Sequence, residues 1–147
     1  MQSTTFLSVA FLMGIVMSIY LPMNSSVSRY LGSPIAASVV FFIVALITTI
    51  VIFIYSGQYA SSIPNLRNVP AYLYLAGFIS AFMIIGTTFL IPKVGARKFF
   101  ILLVSGQIIM AILVSHFGIL ESPKDPITLK KVLGAALVIG GAILSRS

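Results

Sequence analysis

Four long uncharged runs divide the chain, at residues 1–28, 30–66, 68–92 and 99–120, and a shorter one follows at 132–145. An α-helix rises 1.5 Å per residue and needs about 20 apolar residues to cross a bilayer, so each run holds one crossing and none holds two. The run 30–66 is the longest, yet Ser56, Gly57, Gln58, Ser61, Ser62, Pro64 and Asn65 in its second half read as loop. In the last run Lys130 and Lys131 can snorkel, which lets a span begin near Thr128. The pattern predicts spanning helices at about 4–27, 34–55, 71–91, 96–117 and 128–145. Punctuation supports the joints: Gly32-Ser33-Pro34, Pro64 and Pro70, Pro92 with Gly95, and Gly118 with Pro123 and Pro126. The strand alternation of a membrane barrel is absent, and hydrocarbon offers backbone groups no other partner than their own helix. The expected fold is all-α: one polytopic membrane domain over 1–147 with five transmembrane helices.

Composition excludes the soluble alternative. Of 147 residues, 59% are hydrophobic and 7% charged, against roughly 45–50% and 25% in a soluble domain. Nine Lys+Arg stand against two Asp+Glu, for a net charge of +7. The positives lie singly or in small groups between apolar runs, so they point to anionic lipid headgroups and not to nucleic acid. With no cysteine, disulfides, thiolate metal sites and cysteine nucleophiles are excluded. The first run lacks a positive leading segment and a small-x-small cleavage site before Asn24-Ser25-Ser26, so it is expected to persist as a helix. Tryptophan is also absent, which leaves tyrosine for the interfacial belt. Tyr30, Tyr55, Tyr59 and Tyr72 fall near span ends, Tyr74 slightly deeper, and Tyr20 well inside.

Charge leaves the orientation nearly balanced. Five spans put the termini on opposite sides. The N-terminal face then carries Arg67, Lys124, Lys130 and Lys131, and the C-terminal face Arg29, Lys93, Arg97, Lys98 and Arg146. Orientation follows the Lys/Arg excess in cytoplasmic loops, and five against four is almost none. Two readings follow: a weak N-out, C-in preference, or insertion both ways with two copies pairing antiparallel. The second would make an inverted repeat from one gene, the arrangement between whose halves many transporters hold substrate.

Leu21-Pro22-Met23-Asn24, Leu31-Gly32-Ser33-Pro34, Ala37 and Phe41-Phe42 are followed by Pro92-Lys93-Val94-Gly95-Ala96, Ser105-Gly106-Gln107 and His116-Phe117-Gly118. In order and spacing these resemble the YdcZ-type family of small bacterial inner-membrane proteins, in the drug/metabolite transporter superfamily, over nearly the whole chain. The resemblance implies a half-size transporter, one half of an inverted-repeat assembly, working as a dual-topology chain, an oppositely oriented pair or a fused protein. It strengthens the antiparallel homodimer. The family pattern often has an acidic residue before the histidine; here it is Ser115, so a role tied to a carboxylate at that point has no side chain to carry it.

Polar side chains inside a span are costly and usually face a cavity or another helix. Asn24 and Tyr20 are four apart and share a helical face with Met13 and Met17. Between them Pro22 lacks a backbone donor and frees a carbonyl, which makes this stretch a candidate substrate wall. Its alternative is a polar cap (Asn24, Ser25, Ser26, Ser28) at the membrane edge. Gln107, with Ser105 and Gly106 beside it, lies near the midplane of the fourth span, as a substrate ligand or an interhelical hydrogen bond. His116 is the one histidine and a candidate proton relay, since histidine's unperturbed pKa lies near physiological pH; its place at a span end also suits a plain interfacial residue. Ser80, Thr87 and Thr88 either line a path or bond back to their own helix. In the last span Gly134, Ala136, Gly140 and Gly141 mark a small-residue face, a candidate dimer seam or a packing face within the monomer.

No Asp or Glu falls within a predicted span. A carboxylate for which proton and cation compete is therefore missing, and neutral or anionic solutes fit the residues better than cations. No metal-ligand cluster, cofactor motif or nucleophile with an orienting acid is present, so an enzyme is not expected. The leading expectation is a secondary transporter of small solutes in the bacterial inner membrane, built as an antiparallel homodimer with its site between inverted protomers. A small dual-topology ion channel and a non-transporting membrane scaffold are the alternatives.

Overall fold

A computed structural model describes residues 2–58, 63, 68–119 and 123–144, excepting the side chains of residues 2, 3 and 142. Among them are five α-helices: α1 (Gln2–Leu31), α2 (Pro34–Tyr55), α3 (Leu75–Val94, entered through a 3-10 turn at Ala71–Tyr74), α4 (Ala96–Phe117) and α5 (Leu129–Leu144). The protein is an all-α membrane protein. Four stretches are long and apolar enough to cross a bilayer: Thr4–Leu31, Pro34–Tyr55, Ala71–Val94 and Ala96–Phe117. The 16 residues of α5 extend about 24 Å, short of a hydrocarbon core of about 30 Å. The predicted interface residues Tyr59, Arg67, Glu121 and Arg146 lie outside the described residues.

Each joint is made by the residue its backbone demands. Gly32 ends α1 in the left-handed region at φ 67°, where a Cβ would clash. Ser33 then accepts the Ala36 N–H at 3.2 Å as the N-cap of α2, and Pro34 occupies the first helical position, where its missing donor costs nothing. Within the spans, hydroxyls bond to carbonyls of their own helix: Ser8 to Thr4, Ser18 to Gly14, Thr48 to Val44, Thr49 to Ala45 and Ser80 to Ala76. This satisfies them without water.

The described residues form two compact units, Met1–Lys93 and Val94–Ser147. In the first unit the buried residues cluster at one end of the helices: Leu21, Asn24, Ser25 and Ser28 of α1, Ala37 and Ser38 of α2, and Thr87, Thr88 and Ile91 of α3. Six of these nine are polar, an interior built from small hydroxyls and one amide. The opposite ends of the same helices, such as Phe6 to Val16, Ile47 to Ile54 and Tyr72 to Phe82, present large apolar side chains outward. In the second unit α4 packs on α5, and residues 125–127 fold back onto the end of α4.

Three boundaries differ from expectation. Helix α1 continues past residue 27, the end of the expected span, to Leu31, and Asn24, Ser25 and Ser28 in its last turns are buried in the unit. The third span opens on a 3-10 turn and its α-helix runs past residue 91 through Pro92 to Val94. A proline in the last turn removes one backbone bond, and Gly95, at φ 84°, supplies the actual stop. Finally, α5 begins at Leu129, with Thr128 as its cap: the Thr128 hydroxyl accepts the Lys131 N–H at 3.4 Å and its carbonyl the Val132 N–H at 3.1 Å.

Candidate functional site

Thr88 joins α1 to α3. The Asn24 side-chain amide donates to the Thr88 hydroxyl oxygen at 2.7 Å, and both residues are buried, at 6% and 1% exposure. Pro92, four residues beyond Thr88, has no N–H, so the Thr88 carbonyl loses its helical donor. The Ser25 hydroxyl reaches that carbonyl at 3.4 Å. One residue of α3 thus takes two bonds from adjacent residues of α1, one on its side chain and one on a carbonyl that a proline has freed. Its neighbour Thr87 bonds back to the Ile84 carbonyl at 3.0 Å instead.

Next to this joint α1 and α2 enclose an open cleft of about 370 Å³. Tyr20, Met23, Asn24 and Val27 line it from α1, and Val40, Phe41, Val44 and Ala45 from α2. The Tyr20 and Phe41 rings stack across it, centroids 5.9 Å apart and 18° from parallel. Phe41 is held in turn by an edge contact with Phe42 at 5.3 Å. Asn24 and the Tyr20 phenol are the polar groups on this wall. One end of the Asn24 amide is committed to Thr88; the other meets no hydrogen-bonding group among the described residues, yet is not a sealed, unsatisfied atom. Asn24 is itself one of the residues that line the cleft. A threonine hydroxyl both donates and accepts, so either orientation of the amide keeps the Thr88 bond and leaves one polar end uncommitted.

The polar lining of two other clefts differs. Between α2 and α3, the polar lining residue Ser38 spends its hydroxyl on the Pro34 carbonyl at 2.8 Å. In the second unit the charged lining residues, Asp125 and Lys131, pair with each other.

The predicted site residues separate accordingly. Tyr20 and Asn24 meet in the cleft, with Pro22 between them in the same helix; Met13 and Met17 do not line it. Ser105 and Gln107 belong to α4, in the other unit. Ser105 bonds to the Ile101 carbonyl at 2.8 Å. Gln107, the twelfth of the 22 residues of α4, is exposed and makes no hydrogen bond among the described residues.

His116 accepts the Ile127 N–H on Nδ1 at 3.2 Å, and the Ser115 carbonyl accepts the Asp125 N–H at 2.9 Å. Lys131 pairs with Asp125 and donates to the Pro126 carbonyl at 2.7 Å. His116 is therefore engaged in tying down the segment that follows Gly118. On α5, Ala136 faces α4 in a shallow apolar cleft, while Gly134, Gly140 and Gly141 border open space.

Thr88 is the joint residue that sequence reasoning did not separate from Thr87. A signal for it existed: in Thr88-x-x-x-Pro92 the proline orphans the carbonyl of that threonine alone.

Helices of this length, a proline-freed carbonyl and an amide beside an apolar cleft describe a membrane protein with a polar joint next to an apolar cleft. The family described as "Putative inner membrane exporter, YdcZ" matches residues 5–144 of the chain. The chain belongs to that family. Exporters are not an enzyme class, and the family description places these helices in the inner membrane. No curated protein and no solved structure matches the chain.

Proposed function

We propose that the chain is a secondary exporter of small solutes that works as an antiparallel, dual-topology homodimer, each copy one half of an inverted repeat. The observation that carries the reading is Asn24. An asparagine buried at 6% exposure, held by Thr88 and lining a cleft of about 370 Å³, is a built ligand-holding group. Buried side-chain polar atoms are in the large majority hydrogen-bonded, which leaves the second amide end of Asn24 for a ligand.

Pairing rests on Gln107. A glutamine side chain near the bilayer midplane is costly against lipid, and this one has no hydrogen-bond partner among the described residues. A second, inverted copy gives it a polar neighbour, and the open faces of Gly134, Gly140 and Gly141 on α5 allow the close helix approach such a seam needs. In the pair, the clefts of the two copies open in opposite directions, and the substrate exchanges between them as the copies rock.

Expression in a susceptible bacterial host tests the exporter reading. The chain should raise tolerance to at least one class in a panel of neutral, cationic and anionic toxic solutes, and Asn24→Leu should abolish the gain at equal protein level. No gain in any class, or a gain that Asn24→Leu leaves intact, would contradict it.

A further inference from the structure

A solute in the α1–α2 cleft meets six apolar or aromatic side chains, the Tyr20 phenol and one amide. We infer that the substrate is a neutral, flat, largely apolar solute with one hydrogen-bonding group, bound with its ring body along the Tyr20–Phe41 stack and its polar group on Asn24. This rests on the export reading above and narrows it.

Charge argues first. No charged side chain lines the cleft. A cation would therefore meet no counter-charge in the cleft's own walls. The basic residue nearest in sequence, Arg29, is five positions beyond Asn24 and donates to the Ser26 hydroxyl at 3.0 Å, so an anion is no better served. An ion moved from water into such surroundings without a partner loses far more solvation than apolar contact returns. That separates neutral from anionic solutes, which the sequence alone leaves together.

Shape and polarity argue next. The space matches the low end of small-molecule pockets, about 300–1,000 Å³, enough for a fused bicyclic ring with a short arm. Tyr20 and Phe41 lie within 18° of parallel, and a planar ring continues such an offset stack. Because the amide can turn while Thr88 keeps its bond, Asn24 can serve a donor or an acceptor, so an alcohol, phenol or carboxamide is equally suited. A lipid acyl chain would fill the same walls but leave the buried amide end unpaired, a penalty the polar group of the solute removes.

The test uses the full chain in lipid nanodiscs, with empty nanodiscs as the blank for partitioning. Three probes share one ring body: 2-naphthalenemethanol (neutral), 2-naphthoate (anionic) and 2-naphthylmethylammonium (cationic). The alcohol should bind saturably, and both ions at least about tenfold more weakly. Asn24→Leu should weaken the alcohol about three- to tenfold. Phe41→Ala, which leaves the Thr88 joint untouched, should weaken it by a similar factor. Tighter binding of either ion, no saturable binding of the alcohol above the blank, or alcohol binding indifferent to Phe41→Ala overturns the inference. The two readings fail separately. A tolerance gain in cells with an inverted probe order removes the substrate class and keeps export. Asn24- and Phe41-dependent alcohol binding without any tolerance gain removes export and keeps the ligand class.

Discussion

Replacing Thr88 by valine keeps the shape of the side chain and removes the acceptor of the Asn24 amide. The bond is short, 2.7 Å, and lies between residues 6% and 1% exposed. Interhelical side-chain bonds in membranes are worth about 0.6 kcal/mol on average and up to about 1.7. An amide left unpaired in a buried site adds about 1–3 kcal/mol. Since Asn24 also lines the cleft, the lower part of that range applies, and Thr88→Val should cost about 1–2 kcal/mol. Thr87→Val is the internal control, because the Thr87 hydroxyl bonds only to its own helix at Ile84 and its loss should stay within about 0.5 kcal/mol. Asn24→Leu in the Thr88→Val background should cost little more, since removing both partners leaves nothing unpaired. The assay is equilibrium unfolding of the purified protein in mixed micelles titrated with sodium dodecyl sulfate, read as a double-mutant cycle. A coupling of about 1 kcal/mol is expected. Coupling within the additivity limit of about 0.3–0.5 kcal/mol, with Thr88→Val no worse than Thr87→Val, would refute the joint.

Three further outcomes follow from the same geometry. Ser25→Ala should destabilise the wild type by about 0.5–1 kcal/mol but be neutral beside Pro92→Ala, whose restored N–H takes the Thr88 carbonyl; equal costs in both backgrounds would sink this account of the proline. Gly118→Ala should cost about 1–2 kcal/mol for its left-handed backbone and more than Gly32→Ala, because its Cβ would come 2.6 Å from Lys124 Cγ while Gly32 has open space; Lys124→Ala should erase the difference between them in unfolding titrations. His116→Ala should speed hydrogen exchange at the Ile127 amide, whereas His116→Asn, which keeps an acceptor near the Nδ1 position, should retain much of the protection; no change in His116→Ala would remove the tie.

The positions of the helices were legible because apolar runs and their Gly, Pro and Ser punctuation are local properties. Gly32, Ser33 and Pro34 each occupy the backbone position their chemistry requires, so that joint could be placed to the residue. Where α1 ends was not legible, because Asn24, Ser25 and Ser28 look alike whether they meet headgroups or another helix. That choice depends on α3, more than sixty residues away. For the same reason Thr87 and Thr88 were indistinguishable by type; only packing, or the register of Pro92, selects the one that faces α1. Helical spacing puts Tyr20 and Asn24 on one face, and both line the cleft, but the opposite wall, Phe41 and its neighbours, comes from another helix and carried no sequence sign of the pairing.

Dual topology is the central element of the proposed pump, and the cysteine-free chain allows it to be read directly. A single cysteine at Ser147, in intact cells, is labelled with a membrane-impermeant thiol reagent before and after permeabilisation. The antiparallel homodimer predicts labelling of about half the chains before permeabilisation and all of them after. Labelling of all chains or of none in intact cells would mean one fixed orientation and contradict the self-made inverted repeat.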